Sequence, residues 1–404
     1  MQTNLADFIK DTPEGREADA ILRNCVHCGF CNATCPTYQL LGDELDGPRG
    51  RIYLVKQLLE GQEVSRTTQV HLDRCLTCRA CETTCPSGVN YHRLADIGRG
   101  LLAEKLPRPW HQRLMRGMLR RVIAHRRRFT PLLRMGQAVR TLLPAVLKQK
   151  VPPYQQAGAW PNRTHPRKML ILEGCVQPAI APDINAATAR VLDRMGIQII
   201  RAPRAGCCGA VSYHLDAHQE GLDFMRRNID AWWPHIEAGA EAIVMNASGC
   251  GAMVVEYGHL LKDDPRYAEK AARVSELSRD IGEILVDEDL ERLALQADSQ
   301  LAFHAPCTLQ HALRRHIVVE QVLRRLGFTL TPVRDGHLCC GSAGTYSILQ
   351  PELAQQLRGN KLQALEAGNP QAIVTANIGC LAHLQSGTER PVKHWIEWVD
   401  AACD

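Results

Sequence analysis

The 404-residue sequence has no apolar run approaching the roughly 18 residues that a membrane-spanning helix needs. Its opening, Met1 to Ala20, is polar and acidic, without the apolar segment of a secretory leader. Membrane association is therefore expected to be peripheral or through a partner, and the compartment to be the reducing cytosol. A G-x-G-x-x-G stretch following a first strand is also lacking, which argues against a dinucleotide site on this chain. The formal charge is only +5, which does not argue for nucleic acid, whose footprint is a concentrated basic face. What the chain has in quantity is cysteine, 17 in all. With 45% hydrophobic and 23% charged residues it can bury a full core, so it needs no cystine staples.

Four cysteines crowd into CVHCGFCNATCP, Cys25 to Pro36, and four more into CLTCRACETTCP, Cys75 to Pro86, with identical spacing fifty residues on. Covalent haem would call for C-x-x-C-H, and neither Cys28 nor Cys78 precedes a histidine. Zinc sites usually come as C-x2-C pairs, not close triplets. The run C-x2-C-x2-C-x3-C-P is that of bacterial ferredoxins, in which the fourth cysteine of each motif serves the other cluster. On that pattern Cys25, Cys28, Cys31 and Cys85 hold one [4Fe-4S] cluster, and Cys75, Cys78, Cys81 and Cys35 hold a second. His27 is expected to face solvent or support a ligand, since the thiolates complete the set. Arg49 and Arg51 follow the Gly47-Pro48 turn at the start of a helical apolar pattern, either as a solvated helix start or as countercharge to the clusters.

From Lys105 to Arg128 the sequence reads as a basic amphipathic helix, its apolar stripe formed by Leu114, Met115, Met118, Leu119, Val122 and Ile123. Such a helix suits an anionic membrane surface, an acidic partner, or packing on its own protein. Lys148 to Lys168, rich in Pro and Gln, reads as a linker. Beyond it the chain repeats: Cys175/Cys307, Cys207/Cys339 and Cys208/Cys340 are each 132 apart, and Cys250/Cys380 are 130 apart. Each copy alternates strands with helices, so a parallel sheet is expected, with ligands outside the carboxyl ends of its strands, where these cysteines fall. A metal centre, zinc, a redox dithiol and buried structural thiols all remain open there. The Trp232-Trp233-Pro234 cluster reads as core, and His214, His304, His337 and His383 as supporting donors.

A double ferredoxin-type motif followed by two Cys-Cys-Gly modules resembles the iron-sulfur subunits of flavin-dependent 2-hydroxyacid dehydrogenases and their relatives, and within that set the glycolate oxidase subunits. The stretches that carry the likeness are CVHCGFCNATCPTYQLLGDELDGPRGRIYL, CCGAVSYH, NIDAWWPHIEAGAEAI, NASGCGAMVVEYG, CCGSAGTYS and VTANIGC. The resemblance implies an electron-transfer subunit beside flavoprotein subunits that carry FAD and oxidise glycolate to glyoxylate, with a respiratory acceptor such as a quinone. It places the chain in the cytoplasm, at the cytoplasmic face of the inner membrane. Lactate or glycerol phosphate dehydrogenase subunits, a quinone- or disulfide-reducing site at the Cys-Cys-Gly modules, and a zinc-stabilised scaffold are the alternatives. In heterodisulfide reductase-type modules the last cysteine belongs to C-x-x-C; here Met253 and His383 stand at the second position. Four thiols per copy suffice for an ordinary [4Fe-4S] cluster, and a further cluster is expected in at least one copy. The fold class expected is α+β overall: a mainly helical ferredoxin-type domain over 1–104, a connector over 105–168, and α/β Cys-Cys-Gly modules over 169–298 and 299–404.

Overall fold

In a computed structural model, which describes residues 1–144, 148, 151–293 and 299–403, the chain forms two compact units. The first comprises 1–116 with 337–361, the second 117–336 with 362–404.

The first unit is helical over 1–116. Thr12 caps the helix Pro13–Asn24 by accepting the Gly15 N–H, and Pro48, whose missing N–H costs nothing in a first turn, opens the helix Pro48–Leu59. These pack with the helix Tyr91–Lys105 around Leu22, Val55, Leu58, Leu59, Leu94 and Leu102. Gly98 lets two of them close up: a methyl group there would lie 2.6 Å from Val55. The apolar spacing from Ile52 to Leu59 thus makes the helix the sequence indicates, and that helix forms the floor under both cysteine loops.

The second unit holds two four-stranded parallel sheets of identical topology. Strands β1 (Arg167–Ile171), β2 (Ile197–Arg201), β3 (Ile243–Met245) and β4 (Ser278–Asp280) run in the order β2-β1-β3-β4. Strands β5 (Gln300–His304), β6 (Thr329–Leu330), β7 (Ala372–Thr375) and β8 (Val392–His394) repeat it as β6-β5-β7-β8. Leu170 pairs with both Ile200 and Ile243, and Phe303 with Val374. Every residue of β3 and β7 is buried, as strands covered on both faces require. Of the Trp232-Trp233-Pro234 cluster expected in the core, only Trp232 is fully buried; Trp233 is half-buried and Pro234 exposed, because they lie on the outer side of the helix His218–Glu237.

The copies exchange their closing helices. Ile281–Val286, after β4, packs on His316–Arg325 of the second copy, while Trp395–Ala402, after β8, packs on Asp183–Arg194 of the first. Arg190 clasps Asp400 across the latter contact at 2.5 and 2.8 Å. At the carboxyl ends of β3 and β7 the Ser248 N–H donates to the Ala376 carbonyl at 3.0 Å. Residues 294–298, which end the first expected module, lie outside the described residues, as do 145–147 of the expected connector and 149–150 of its linker.

The connector is not one helix from Lys105 to Arg128. Helix Trp110–Ile123 stops, His125 turns extended, and a second helix runs over Arg126–Ala138. Ala124, 2% exposed, packs at the break with Cys175, Cys207 and Phe224. This tertiary contact overrides the continuous helical pattern. Neither connector helix contains a buried residue.

Asp280 and His394 close β4 and β8 in the same way, each capping the next helix through a capping box. Burial pushes the Asp280 carboxyl up to about 7 and the His394 imidazole down to about 3. Asp280 Oδ1 accepts the Gly282 N–H, while Oδ2 has no hydrogen-bond partner. Because its folded pKa lies above that of an ordinary carboxyl, the contribution of Asp280 to stability is complete below about pH 4 and is lost as pH rises through 7. Asp280→Asn keeps the cap and removes the buried charge. We expect it to raise stability at pH 8 by roughly 2–4 kcal/mol and to leave stability at pH 4 nearly unchanged; unfolding curves at the two pH values measure the difference.

Candidate iron-sulfur centres

The two cysteine motifs fold alike because their backbones repeat the same turns. His27 and Gly29 in the first, Thr77 and Arg79 in the second, all adopt positive φ. Left-handed residues between right-handed ones curl the chain so that thiols three apart converge. For a β-branched residue such as Thr77 this is an outlier, held in place because Arg99 donates to Thr77 Oγ1 at 2.9 Å and to the Cys75 carbonyl at 2.7 Å. Pro36 then opens a short helix after Cys35.

Two cavities result. One, of about 440 Å³, is lined by Cys25, Cys28, Cys31 and Cys85, with Cys81 also in its wall. The other, of about 310 Å³, is lined by Cys35, Cys75, Cys78 and Cys81. Each therefore gathers three thiols of one motif and the last thiol of the other. Four soft donors around each fit an iron-sulfur cluster.

Their electrostatics differ. Arg51, 1% exposed, donates to Thr37 Oγ1 at 3.1 Å and to the His71 carbonyl at 2.8 Å, and lies 3.9 Å from Cys35 Sγ. It pairs with the fully buried Asp46, which also receives Arg74 at 2.7 Å and His71 at 3.1 Å. Burial alone would raise the Cys75 thiol, yet Arg51 and Arg99 hold it below its ordinary value. The Tyr91 hydroxyl adds a donor to Cys75 at 3.6 Å. Burial pushes Cys31 up to about 11, helped by neighbouring Cys25, and raises Cys81 well above its ordinary value. Arg49, by contrast, is part-exposed and pairs with Glu44 at 2.5 Å. Of the two arginines singled out by the sequence, Arg51 is thus the buried countercharge at the second cavity, while Arg49 lines the first. His27 is exposed, its Nδ1 3.0 Å from Met1 Sδ.

In the first Cys-Cys-Gly copy the four thiols are neighbours in series, Cys175 beside Cys207, Cys207 beside Cys208 and Cys208 beside Cys250. The neighbouring thiols, and then burial, raise Cys175 and Cys208, whereas Cys175 and Cys208 lower Cys207. Asn228, fully buried, fixes the loop by donating to the Cys207 carbonyl at 2.9 Å and accepting the Gly206 N–H at 2.9 Å; Tyr257 donates to the Cys208 carbonyl at 2.8 Å. The glycine of each Cys-Cys-Gly is forced: Gly209 and Gly341 have φ of 96° and 88°, and a methyl group would sit 2.7 and 2.6 Å from a helix carbonyl. In the second copy Cys339 and Cys340 belong to the first unit, Cys307 and Cys380 to the second. Met253 is core, 5% exposed, and His383 lies on the helix Ile378–Gln385. His304 is buried at the end of β5, His214 is exposed, and His337 is half-buried.

Arg99, Tyr91 and Asp46 escape a sequence reading. Asp46 stands five residues before Arg51 and so offered a local signal, but Arg99 and Tyr91 reach Cys75 from a helix beyond the second motif.

Residues 21–89 match a family described as a 4Fe-4S dicluster domain, and 169–255 and 301–385 each match a cysteine-rich domain. Over 405 aligned residues the chain is 59% identical to the glycolate oxidase iron-sulfur subunit of Escherichia coli (strain K12), covering 100% of each. It is 32% identical to the probable glycolate oxidase iron-sulfur subunit of Bacillus subtilis (strain 168), over 91% of this chain and 89% of that one. Lactate utilization protein A of Bacillus licheniformis is 25% identical over 54% of this chain and 90% of its own length. Among solved structures, a hypothetical protein from Helicobacter pylori matches with a TM-score of 0.55 and 11% identity, over 98% of this chain and 74% of that one, a likeness of fold alone.

Replacing Arg51 by methionine removes a cation from beside Cys35 and Cys75 and leaves Asp46 with only Arg74 and His71. We expect R51M to cost about 3 kcal/mol of stability and to lower the midpoint potential of one of two cluster signals, leaving the other in place. Denaturation and an EPR-monitored redox titration measure these effects.

Proposed function

Because the chain belongs to the family of glycolate oxidase iron-sulfur subunits, we propose that it is the electron-transfer subunit of a glycolate oxidase. A partner flavoprotein with FAD removes two electrons and two protons from glycolate to give glyoxylate. This chain passes the electrons singly toward a respiratory quinone, which takes up two electrons and two protons. The observation that carries the reading is the pair of four-thiol cavities built from exchanged cysteines. Bound [4Fe-4S] clusters supply one-electron transfer at potentials set by nearby charge and hydrogen bonds.

We assign Cys25, Cys28, Cys31 and Cys85 to the first cluster and Cys75, Cys78, Cys81 and Cys35 to the second. Alone of the eight, Cys28 is exposed, and Val26, Phe30 and Tyr53 beside its loop are 69%, 63% and 47% exposed. The first cluster is therefore the one that meets the flavoprotein. The converging thiols Cys175, Cys207, Cys208 and Cys250 hold a further centre, and Cys307, Cys339, Cys340 and Cys380 are its counterparts in the second copy. The division of the chain into a ferredoxin-type domain, a connector and two modules follows the same reading.

No helix among the described residues is long and apolar enough to cross a membrane. The connector instead offers Trp110, Leu114, Met118, Leu132 and Met135, all between 47% and 76% exposed, among arginines. These fit the surface of an anionic bilayer, the cytoplasmic face of the inner membrane.

The Cys28→Ser protein should lose one ferredoxin-type cluster and, in the assembled complex, glycolate-dependent dye reduction; unchanged iron and activity would sink the ligand assignment. In co-sedimentation, the protein should bind vesicles containing phosphatidylserine at low salt and be released at high salt. Equal indifference to anionic and neutral vesicles would leave the connector to a protein partner.

A further inference from the structure

The segment 337–361 carries the second Cys-Cys-Gly triplet, yet it belongs to the same unit as the ferredoxin-type loops. Within that unit Tyr346 is 7% exposed, and its hydroxyl donates to the Arg74 carbonyl at 3.1 Å, across 272 positions of sequence. That carbonyl belongs to the peptide that leads into Cys75. The Arg74 side chain in turn holds Asp46, the partner of Arg51. Burial, then the nearby thiols of Cys75 and Cys339, push the Tyr346 phenol well up, so it remains a donor. Cys339 is drawn inward by its own loop, its Sγ accepting the Gly341 N–H at 3.4 Å.

We propose that Tyr346 is a positioning residue that ties the second Cys-Cys-Gly loop to the second ferredoxin-type centre, fixing the Arg74-Cys75 peptide beside that cluster. The inference rests on the ligand reading above and deepens it: of the four cysteine loops' surroundings, the centre at Cys75 is the one whose potential responds to the Cys339-Cys340 segment. The carbonyl of Arg74 has its negative end engaged by the tyrosine hydroxyl. Without that donor the negative end of the carbonyl in the peptide joined to Cys75 is uncompensated, which would disfavour an added electron on a cluster held by that cysteine.

The test is Tyr346→Phe in the full chain, purified anaerobically and titrated under EPR. Iron should stay at the wild-type level, one of the two ferredoxin-type signals should fall in midpoint potential, and the other should serve as an unmoved internal reference. Cys339→Ser, which alters the same neighbourhood without touching the tyrosine, should disturb the same signal. That pair keeps the test readable if either variant folds poorly. Full iron with both signals unmoved, or with an upward shift, overturns the proposal while leaving the cluster assignment intact. A wild-type protein without acid-labile sulfide overturns both.

Discussion

A carboxylate buried with two guanidiniums and an imidazole organises the ferredoxin-type unit. Asp46 is fully buried and meets Arg51, Arg74 and His71. A charge so far from water is tolerable only when paired and hydrogen-bonded, so the network fixes the segments that bear it: the turn before the helix Pro48–Leu59, that helix, and the end of the helix Arg66–Asp73. Arg74 leads directly into Cys75, and the Asp46 carbonyl lies 3.7 Å from Cys35 Sγ, so the network sits beside two thiols of one cavity. The meeting of Cys35 with Cys75, Cys78 and Cys81 is thus supported by ionic contacts around Asp46 as well as by the cysteine spacing. It also leaves the two cavities in unlike fields, with buried guanidiniums at one and a part-exposed arginine at the other.

Much of this was legible beforehand because it is local. Spacing alone grouped eight cysteines, and the helix from Pro48 followed from a turn and an apolar period. The 132-residue offset announced two copies, which the identical strand orders of the sheets match. What stayed hidden depends on distant chain. Arg99 braces Thr77 from a helix whose sequence gives no hint of it, and Tyr346 reaches Arg74 from the far end of the protein. Strands β4 and β8 are three residues long and flanked by helices, too brief for an alternating pattern to emerge. The connector broke at Ala124 because that small residue fills a space beside Cys175 and Cys207, which no helical wheel could foresee.

The duplicated half shows how a repeat diverges while keeping its frame. Both copies retain a positive-φ glycine pressed against a helix carbonyl after the cysteine pair, so the loop is imposed by backbone sterics. Asn228 and Tyr257 hold the first loop, while at the ends of β4 and β8 Asp280 and His394, two groups of opposite charge preference, cap equivalent helices. The exchanged closing helices make each copy depend on the other for its packing.

The most direct test of the account is analysis of iron, acid-labile sulfide and zinc per chain after anaerobic purification, with EPR of the dithionite-reduced protein. The account predicts more than the roughly eight irons of two [4Fe-4S] clusters, about twelve if one Cys-Cys-Gly copy is filled, with matching sulfide and interacting reduced signals. Zinc without sulfide, in a colourless protein, would contradict it.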